Sequence, residues 1–444
     1  MNRKCTANDG NQPAPQTIYR PAINEFFCKQ KGLNRLKLLI VSQYFWPETF
    51  IINDLARTLR DQGHEVTVAT GKPNYPDGKI FDGYRAWGIQ REIYDSNIDV
   101  IRVPLRPRGA NSALDLLLNY TSFVCSGLAL FPYLLRRRLF DAILVFAGSP
   151  NVSLPALPLK WVKRAHLVLW VQDLWPDSLA ATGYVRNVLI LRAIGWLVRL
   201  TYWGADTVLV QSPAFCGPVE RYAERGKVFH YPNSIRVPDG TDSGRAPLPR
   251  SLIDTLTSQF CVVFAGNIGS AQAVETIVEA ASCLKDLTNV RMVLVGSGSK
   301  SDWVGRAICE RRLDNLMLAG RLPGSSMAEL FSHASCLLVT LKSNEIFSYT
   351  IPSKVQTYLA AGKPIIAALN GEGARIVREA GAGQTCAAED PAGLASCVRA
   401  LYAMSAEQRQ KLGDSGRRYF LEHFEMRGQT ERLVQIINGR IRER

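Results

Sequence analysis

Residues 350–369, TIPSKVQTYLAAGKPIIAAL, carry the clearest architectural signal in the chain. Pro352 suits the first turn of a helix, where its missing N–H costs nothing. The spacing predicts a helix from Ser353 to Ala361 that buries Val355, Tyr358 and Leu359 on one face. Gly362 caps the C-terminus and Pro364 blocks continuation, so residues 365–369 start a short apolar strand. Ser353 and Lys354 occupy the electropositive end of the helix, where backbone N–H groups and one ammonium suit an anion. They also fit an ordinary helix start with a solvated lysine.

Upstream, the same unit recurs. Strands are expected at 260–264, 291–295, 316–319 and 336–339. The first exits into Gly266, Asn267 and Gly269, where glycines let N–H groups converge on a phosphate. The second exits into Gly296, Ser297 and Gly298, and the third into Gly320, Arg321 and Leu322. The fourth leads through Glu345 to the opening helix. Successive exits of this kind form one binding edge along the carboxyl ends of a parallel sheet. Arg321 is expected either to reach a diphosphate or to pair with the Glu345 loop, and Glu345 to meet ribose or sugar hydroxyls.

The first half repeats the pattern. Strands at 36–41 and 65–70 flank a helix over about 50–62. Glu48 and Asn53 sit on the exit side of the first strand, where ligand contact competes with helix capping. His64 lies at the opposite edge and reads as a turn residue. Residues 71–88 form a loop over the cleft, followed by a strand at 99–103. The strand at 140–146 exits through Gly148 and Ser149. The one at 166–171 exits into Gln172-Asp173-Leu174-Trp175-Pro176-Asp177. A carboxylate beside aromatic rings suits a sugar, because rings stack on C–H faces while the carboxylate accepts hydroxyl protons. Asp173 and Asp177 also fit helix capping.

Length places two domains in the 444 residues. We divide the chain into a flexible extension (1–35), a first domain (36–237), a Gly/Pro/Asp-rich linker (238–254), a second domain (255–425) and a basic C-terminal helix (426–444) that crosses back. Ten cysteines without metal-ligand spacing read as core residues or free thiols, so no metal and no disulfide framework is expected. The net charge is +14. Residues 102–138 hold six arginines against Asp115, and residues 183–236 hold seven basic residues against three acids. Both segments are also apolar, which favours an anionic membrane surface over nucleic acid. Residues 116–135 lack any charge over 20 positions, but Asn119, Gly127 and Pro132 dilute them and Arg136–Arg138 follow. They read as a half-buried or interfacial helix with a basic rim rather than a span. Residues 186–203 place Arg186, Arg192 and Arg199 among leucine, isoleucine and tryptophan, either on a membrane or in a mostly buried helix.

In order and domain placement, YFWPE…NDLARTLRDQGHEVTV, VQDLWPDS, VVFAGNIG, VLVGSG, LAGRLP and IPSKVQTYLAAGKPIIA resemble family 4 glycosyltransferases. The resemblance runs from about Leu36 to Gly439 and is nearest the WcaI/WbuB-like branch of bacterial polysaccharide assembly. It implies an α/β fold of GT-B architecture, with two facing Rossmann-like domains and parallel sheets. It further implies a retaining, metal- and cofactor-independent transfer from a nucleotide-diphosphate sugar to a lipid-linked saccharide acceptor. The expected location is cytoplasmic, at the inner face of the membrane. Donor diphosphate would meet Gly266, Asn267, Gly269, Ser353, Lys354 and Arg321; nucleoside or sugar would meet Gly296, Ser297, Gly298, Leu322 and Glu345. Asp173 and Glu48 are the catalytic candidates, with Asn53, Gly148, Ser149 and Trp175 on the acceptor.

The chain departs from the family pattern at three places. Tyr349 and Thr357 stand where relatives carry paired glutamates, Asn267 and Ala271/Gln272 where they carry arginine and lysine, and no histidine follows Phe146. Lys354 then becomes the main phosphate candidate. A nucleotide-sugar epimerase or hydrolase, or a noncatalytic sugar-binding subunit, fits the same pattern.

Overall fold

Apolar runs and glycine-rich exits translate into two sheets in the computed structural model, which describes residues 35–109, 112–182, 185, 187–237 and 246–443. The first contains β1 (Lys37–Ser42), β2 (Glu65–Thr70), β3 (Gln90–Tyr94), β4 (Ile98–Arg102), β5 (Ala142–Ala147), β6 (His166–Val171), β7 (Thr207–Val210) and β8 (Val228–His230). Their order is β3-β4-β2-β1-β5-β6-β7-β8. The second contains β9 (Phe260–Ala265), β10 (Val290–Val295), β11 (Leu316–Gly320), β12 (Cys336–Thr340), β13 (Ile365–Ala368) and β14 (Gly383–Cys386), in the order β11-β10-β9-β12-β13-β14. Chain reversal beside β1 and again beside β9 puts each sheet's switch point, and therefore its crevice, at the carboxyl ends of those strands.

Among the described residues every strand pairing is parallel except β3 with β4. The expected two parallel-sheet domains are present, with β3 added as an antiparallel edge strand on the first sheet. Asp95 and Ser96 take positive φ (49° and 68°) and close a tight hairpin, a connection only antiparallel strands can use. β3 was not legible beforehand because it is an edge strand with little buried apolar surface.

Both faces of each sheet are covered. Val263, Val293 and Leu337 pack with Val355, Tyr358 and Leu359 on one face of the second sheet, as the helical spacing requires. Phe264, Met292 and Leu338 pack on the other, against the helix Val274–Cys283. Cys261, Cys336 and Cys397 are core residues. The final helix, Met426–Arg442, packs Met426, Leu433, Val434 and Ile437 into the core of the first sheet, beside the helix Ile51–Asp61. Burial of each such side chain is worth about 1.5–3 kcal/mol. The two crossing strands of chain touch: Ile235 N–H donates to Phe424 O (2.9 Å) and Met426 N–H to Ile235 O (3.1 Å). Both sheets belong to one compact unit, Arg35–Arg444.

Of the anticipated linker, 238–245 lie outside the described residues. Its last part is a helix, Arg250–Ser258, with Leu252 and Leu256 buried in the second core. The extension 1–35 falls outside apart from Arg35, as does Arg186. The helix Ala113–Leu134 is one-sided. Phe123, Phe131 and Asn119 are fully buried, while Leu114, Leu117 and Tyr133 face outward. Among the described residues it is the one helix long and apolar enough to cross a membrane. Asn119 ties it to the sheet instead: its Oδ1 accepts from Gln43 Nε2 (2.7 Å) and its Nδ2 donates to Arg106 O (2.6 Å). Placing that buried, doubly used amide in lipid would cost both bonds.

Candidate active site

The second sheet builds its crevice largely from backbone. Gly266 (φ 132°) and Gly296 (φ 143°) adopt conformations open to glycine, and a Cβ on Gly296 would collide with the carbonyl of Gly266. Amides knit the exits together: Gly266 N–H to Val295 O (2.8 Å), Ile268 N–H to Ser297 O (2.9 Å) and Gly296 N–H to Gly320 O (2.8 Å). Gly298 lies against Ile268 O and the Asn267 amide, and Gly269 against the same amide. Asn267 Nδ2 donates to Gln272 Oε1 (3.3 Å), so the pair standing in for a basic pair satisfies itself.

The helix Ser353–Ala361 closes this crevice. Pro352 is its N-cap residue rather than its first helical one, and Gly362 (φ 66°) ends it as expected. Tyr358 fixes its pitch, its hydroxyl accepting from Ala265 N–H (3.1 Å) at the end of β9. One turn earlier, Lys354 Nζ lies 3.6 Å from the centroid of the Phe264 ring. A Cβ on Gly266 would come within 2.7 Å of Lys354 Cε. The ammonium is buried and makes no hydrogen bond among the described residues. Burial lowers its pKa from 10.5 to about 8. A ring face compensates an ammonium by only about 0.5–2 kcal/mol, so its three donors are left for something absent from the protein itself.

The other second-domain candidates diverge. Ser353 is exposed at the cleft, with Pro352 and Thr350. Arg321 is exposed and has no ion pair among the described residues. The anticipated Arg321–Glu345 bridge is not made, because β10 and β9 separate β11 from β12. Glu345 instead accepts from the Tyr349 hydroxyl (2.5 Å) and faces Asp177 and Arg221 of the first domain. Leu322 packs partly into the second core. Ser297 and Gly298 remain exposed at the crevice rim.

In the first domain, Glu48 is 2% exposed and its carboxylate accepts from three amides: Phe45 (3.1 Å), Asn74 (2.8 Å) and Tyr75 (2.7 Å). Burial nonetheless pushes its pKa up to about 7. Asn53 is used at both ends, accepting from Trp46 N–H (3.2 Å) and donating to Glu48 O (2.6 Å). These residues staple the exits of β1 and β2 to each other. Ser149 is buried, with its Oγ unpartnered, and Gly148 O accepts from Trp175 Nε1 (3.1 Å). His64 is a turn residue as expected, accepting from Leu36 N–H through Nδ1 (3.1 Å).

Asp173 differs from Glu48. It is exposed to a cleft of about 450 Å³ between the sheets, lined also by Gln172, Asn233, Thr350, Ser353 and Gln356. The surrounding protein raises its pKa by desolvation. Beneath it runs a chain of amides that single-residue reading missed. Gln356 Nε2 donates to Asn233 O (2.6 Å), Asn233 Nδ2 to Gln211 Oε1 (3.1 Å), and Gln211 Nε2 to Gln172 O (2.6 Å). Gln172 Nε2 and Asn233 Oδ1 are buried without partners. The one sequence signal for these groups was their position: Gln172 and Gln211 each follow a strand directly. The arrangement offers a buried cation beside the Gly266 loop, and in the cleft a carboxylate with unsatisfied amide groups, reaching Ser353, the neighbour of Lys354. An activated phosphate and a polyhydroxyl ligand fit that combination.

Residues 50–233 match a family model described as a glycosyl transferase 4-like domain, and residues 259–404 one described as glycosyl transferases group 1. WcaI of Escherichia coli K12, described as a glycosyl transferase of colanic acid biosynthesis, is 26% identical over 342 residues, 74% of this chain and 82% of WcaI. WbjE of Pseudomonas aeruginosa, described as a glycosyltransferase, is 28% identical over 290 residues, 61% of this chain and 68% of WbjE. Among solved structures, Anabaena HepE in complex with UDP superposes with a TM-score of 0.62 at 12% identity, covering 91% of this chain and all of HepE. The UDP-forming trehalose-phosphate synthase of Burkholderia vietnamiensis gives 0.67 at 16%, covering 91% and 97%. At these identities the structural likeness concerns the fold.

Proposed function

Given that this chain is a glycosyltransferase of the GT-B, family-4-like class, we propose that it moves a sugar from a nucleotide-diphosphate donor to a lipid-linked saccharide in bacterial polysaccharide assembly. The observation that carries the reading is the unpartnered Lys354 ammonium against the Gly266 loop. A diphosphate there satisfies the lysine and the helix start together. The second domain (255–425) holds the donor, with Gly296, Ser297 and Gly298 lining the nucleoside end. The first (36–237) holds the acceptor.

Chemistry then depends on charge and position. Lys354 stabilises the negative charge that grows on the leaving diphosphate, and Ser353 and Arg321 stand on the same side. Asp173 accepts a hydrogen bond from an acceptor hydroxyl and orients it toward the anomeric carbon. Retention follows when the acceptor enters on the face the diphosphate leaves, with a diphosphate oxygen taking the hydroxyl proton. Glu48 works at one remove, because both of its oxygens already hold loop amides; it is a positioning residue. Donor specificity falls to Gln172 and Asn233, whose free amide groups meet sugar hydroxyls.

The acceptor's lipid accounts for the outer surface of the first domain. Trp161, Trp196 and Trp203 are 67–69% exposed; Arg192 lies on the helix of the last two, and the exposed Arg136 and Arg137 follow the one-sided helix Ala113–Leu134. Amphipathic rings with a basic rim suit the inner face of the cytoplasmic membrane. A panel of radiolabelled UDP- and GDP-sugars incubated with the protein and native membrane lipids tests the reading. Label is expected in the lipid fraction for one donor. Donor hydrolysis without lipid labelling, at every donor and acceptor tried, would falsify transfer to lipid.

A further inference from the structure

A groove of about 460 Å³ on the first domain has no part in the reaction cleft. Pro176, Arg192, Gly195, Trp196, Arg199 and Tyr222 line it. Arg192, Gly195, Trp196 and Arg199 share one face of the helix Val188–Gly204 by their spacing. The Arg199 guanidinium lies 5.9 Å from the Tyr222 ring centroid. Asp177, on the opposite wall, is paired with Arg221 (2.5 Å). Neither Arg192 nor Arg199 has an acidic partner among the described residues. The groove thus presents two uncompensated guanidinium groups and aromatic walls, which complement a phosphate joined to an apolar chain.

Its position says which end of such a molecule goes where. Outward, the same helix exposes Leu189, Trp196 and Trp203. Inward, Asp177 and Ala180 line both this groove and a second cavity of about 730 Å³ between the domains, bounded by Arg221, Glu345 and Tyr349. Thr350, the next residue, lines the reaction cleft with Asp173 and Ser353. The apolar ridge borders the basic groove, the groove shares Asp177 and Ala180 with the second cavity, and that cavity reaches the reaction cleft at the adjacent residues Tyr349 and Thr350.

We propose that this groove seats the phosphate-bearing head of the lipid acceptor. Arg192 and Arg199 hold the phosphate, Trp196 packs on the first carbons of the lipid, and the saccharide passes Asp177 and Tyr349 into the cleft. The inference rests on the acceptor being lipid-linked.

Farnesyl diphosphate, titrated calorimetrically into the full chain, is the probe. Arg192→Gln/Arg199→Gln is expected to weaken its binding about tenfold or more. Gly195→Leu, which fills the groove without changing charge, is expected to do the same. A Cβ at Gly195 meets Tyr222 at an ordinary 3.7 Å, so the backbone there accepts a side chain, and an unchanged melting temperature and circular dichroism spectrum of the variant are the check that the rest of the leucine leaves the fold intact. UDP and GDP binding should be unchanged in all variants. Farnesol and inorganic pyrophosphate, each lacking half of the ligand, should bind more weakly than farnesyl diphosphate. Equal binding of farnesyl diphosphate by wild type and either variant overturns the assignment. So does a double-arginine defect confined to phosphatidylglycerol vesicles, which would make the groove a general membrane contact. Failure of the donor panel would remove the proposed transfer, while the farnesyl diphosphate result would still report on the groove.

Discussion

Glu48 and Lys354 are matched in placement and opposite in circumstance. Each is a buried ionisable group at the carboxyl edge of a sheet, one per domain. Glu48 receives three backbone amides and joins two loops. The Lys354 ammonium donates no hydrogen bond among the described residues and rests on the face of Phe264. A buried charge whose bonds are complete holds structure together; one whose bonds are missing is costly unless a ligand completes them. The first domain's exit loops are therefore a rigid wall at Glu48, and the second domain's are an open cradle.

Substitutions can break or sharpen this contrast. The largest effect is expected from Lys354→Ala: kcat/KM for the donor falls about 10²–10³-fold, as for removal of one preorganised donor to developing charge. Its melting temperature should hold or rise, since an unpaired buried ammonium has been removed. A fall in melting temperature with unchanged kcat/KM would mean that Lys354, like Glu48, is structural. Gly296→Ala comes next. Its Cβ meets the Gly266 carbonyl at a φ of 143°, and a loss of about 2–3 kcal/mol is expected in denaturant unfolding, with nucleotide affinity falling alongside. Glu48→Gln should cost about 1–2 kcal/mol of stability, because its amide NH2 faces an N–H it cannot accept from. Its kcat should drop less than about tenfold; a loss on the scale expected for a proton-transfer group would return Glu48 to the chemistry.

The smallest effect is a fraction of a proton. Burial holds Lys354 near 8 instead of 10.5. The folded protein therefore binds fewer protons than the unfolded chain between those values, and the destabilisation due to the charged lysine fades as pH rises through that window. A bound diphosphate favours the ammonium and draws the proton back. UDP or GDP binding at pH 8–9, measured calorimetrically in buffers of different ionisation heat, should take up part of a proton. Affinity should weaken as pH rises above about 8. Lys354→Met should abolish the uptake. Uptake that persists in the variant would place the titrating group elsewhere.

Much of the fold was legible because its signals are local. Hydrophobic runs set β1, β2, β6 and β9, and Gly362 ended the 353–361 helix where its αL conformation was needed. β3 and β14 were missed for the converse reason: both are edge strands with few buried side chains. The helix Arg250–Ser258 hid inside a stretch whose prolines and glycines read as linker, since its burial of Leu252 and Leu256 depends on a core supplied by distant residues.

At the site, sequence alone determined the chemistry on offer: glycine-lined exits, a lysine at a helix start, a carboxylate beside tryptophan, basic helices with apolar faces. Tertiary structure decided which of these groups are already satisfied. Glu48 meets Asn74 across 26 residues, Gln356 meets Asn233 across 123, and the Lys354 ammonium meets the Phe264 ring and no hydrogen-bond acceptor among the described residues. Hydrogen-bond saturation belongs to the neighbours that folding brings up, and no local spacing encodes it. That is why residue types could nominate both Glu48 and Lys354, and why only the packed molecule separates the staple from the open cation.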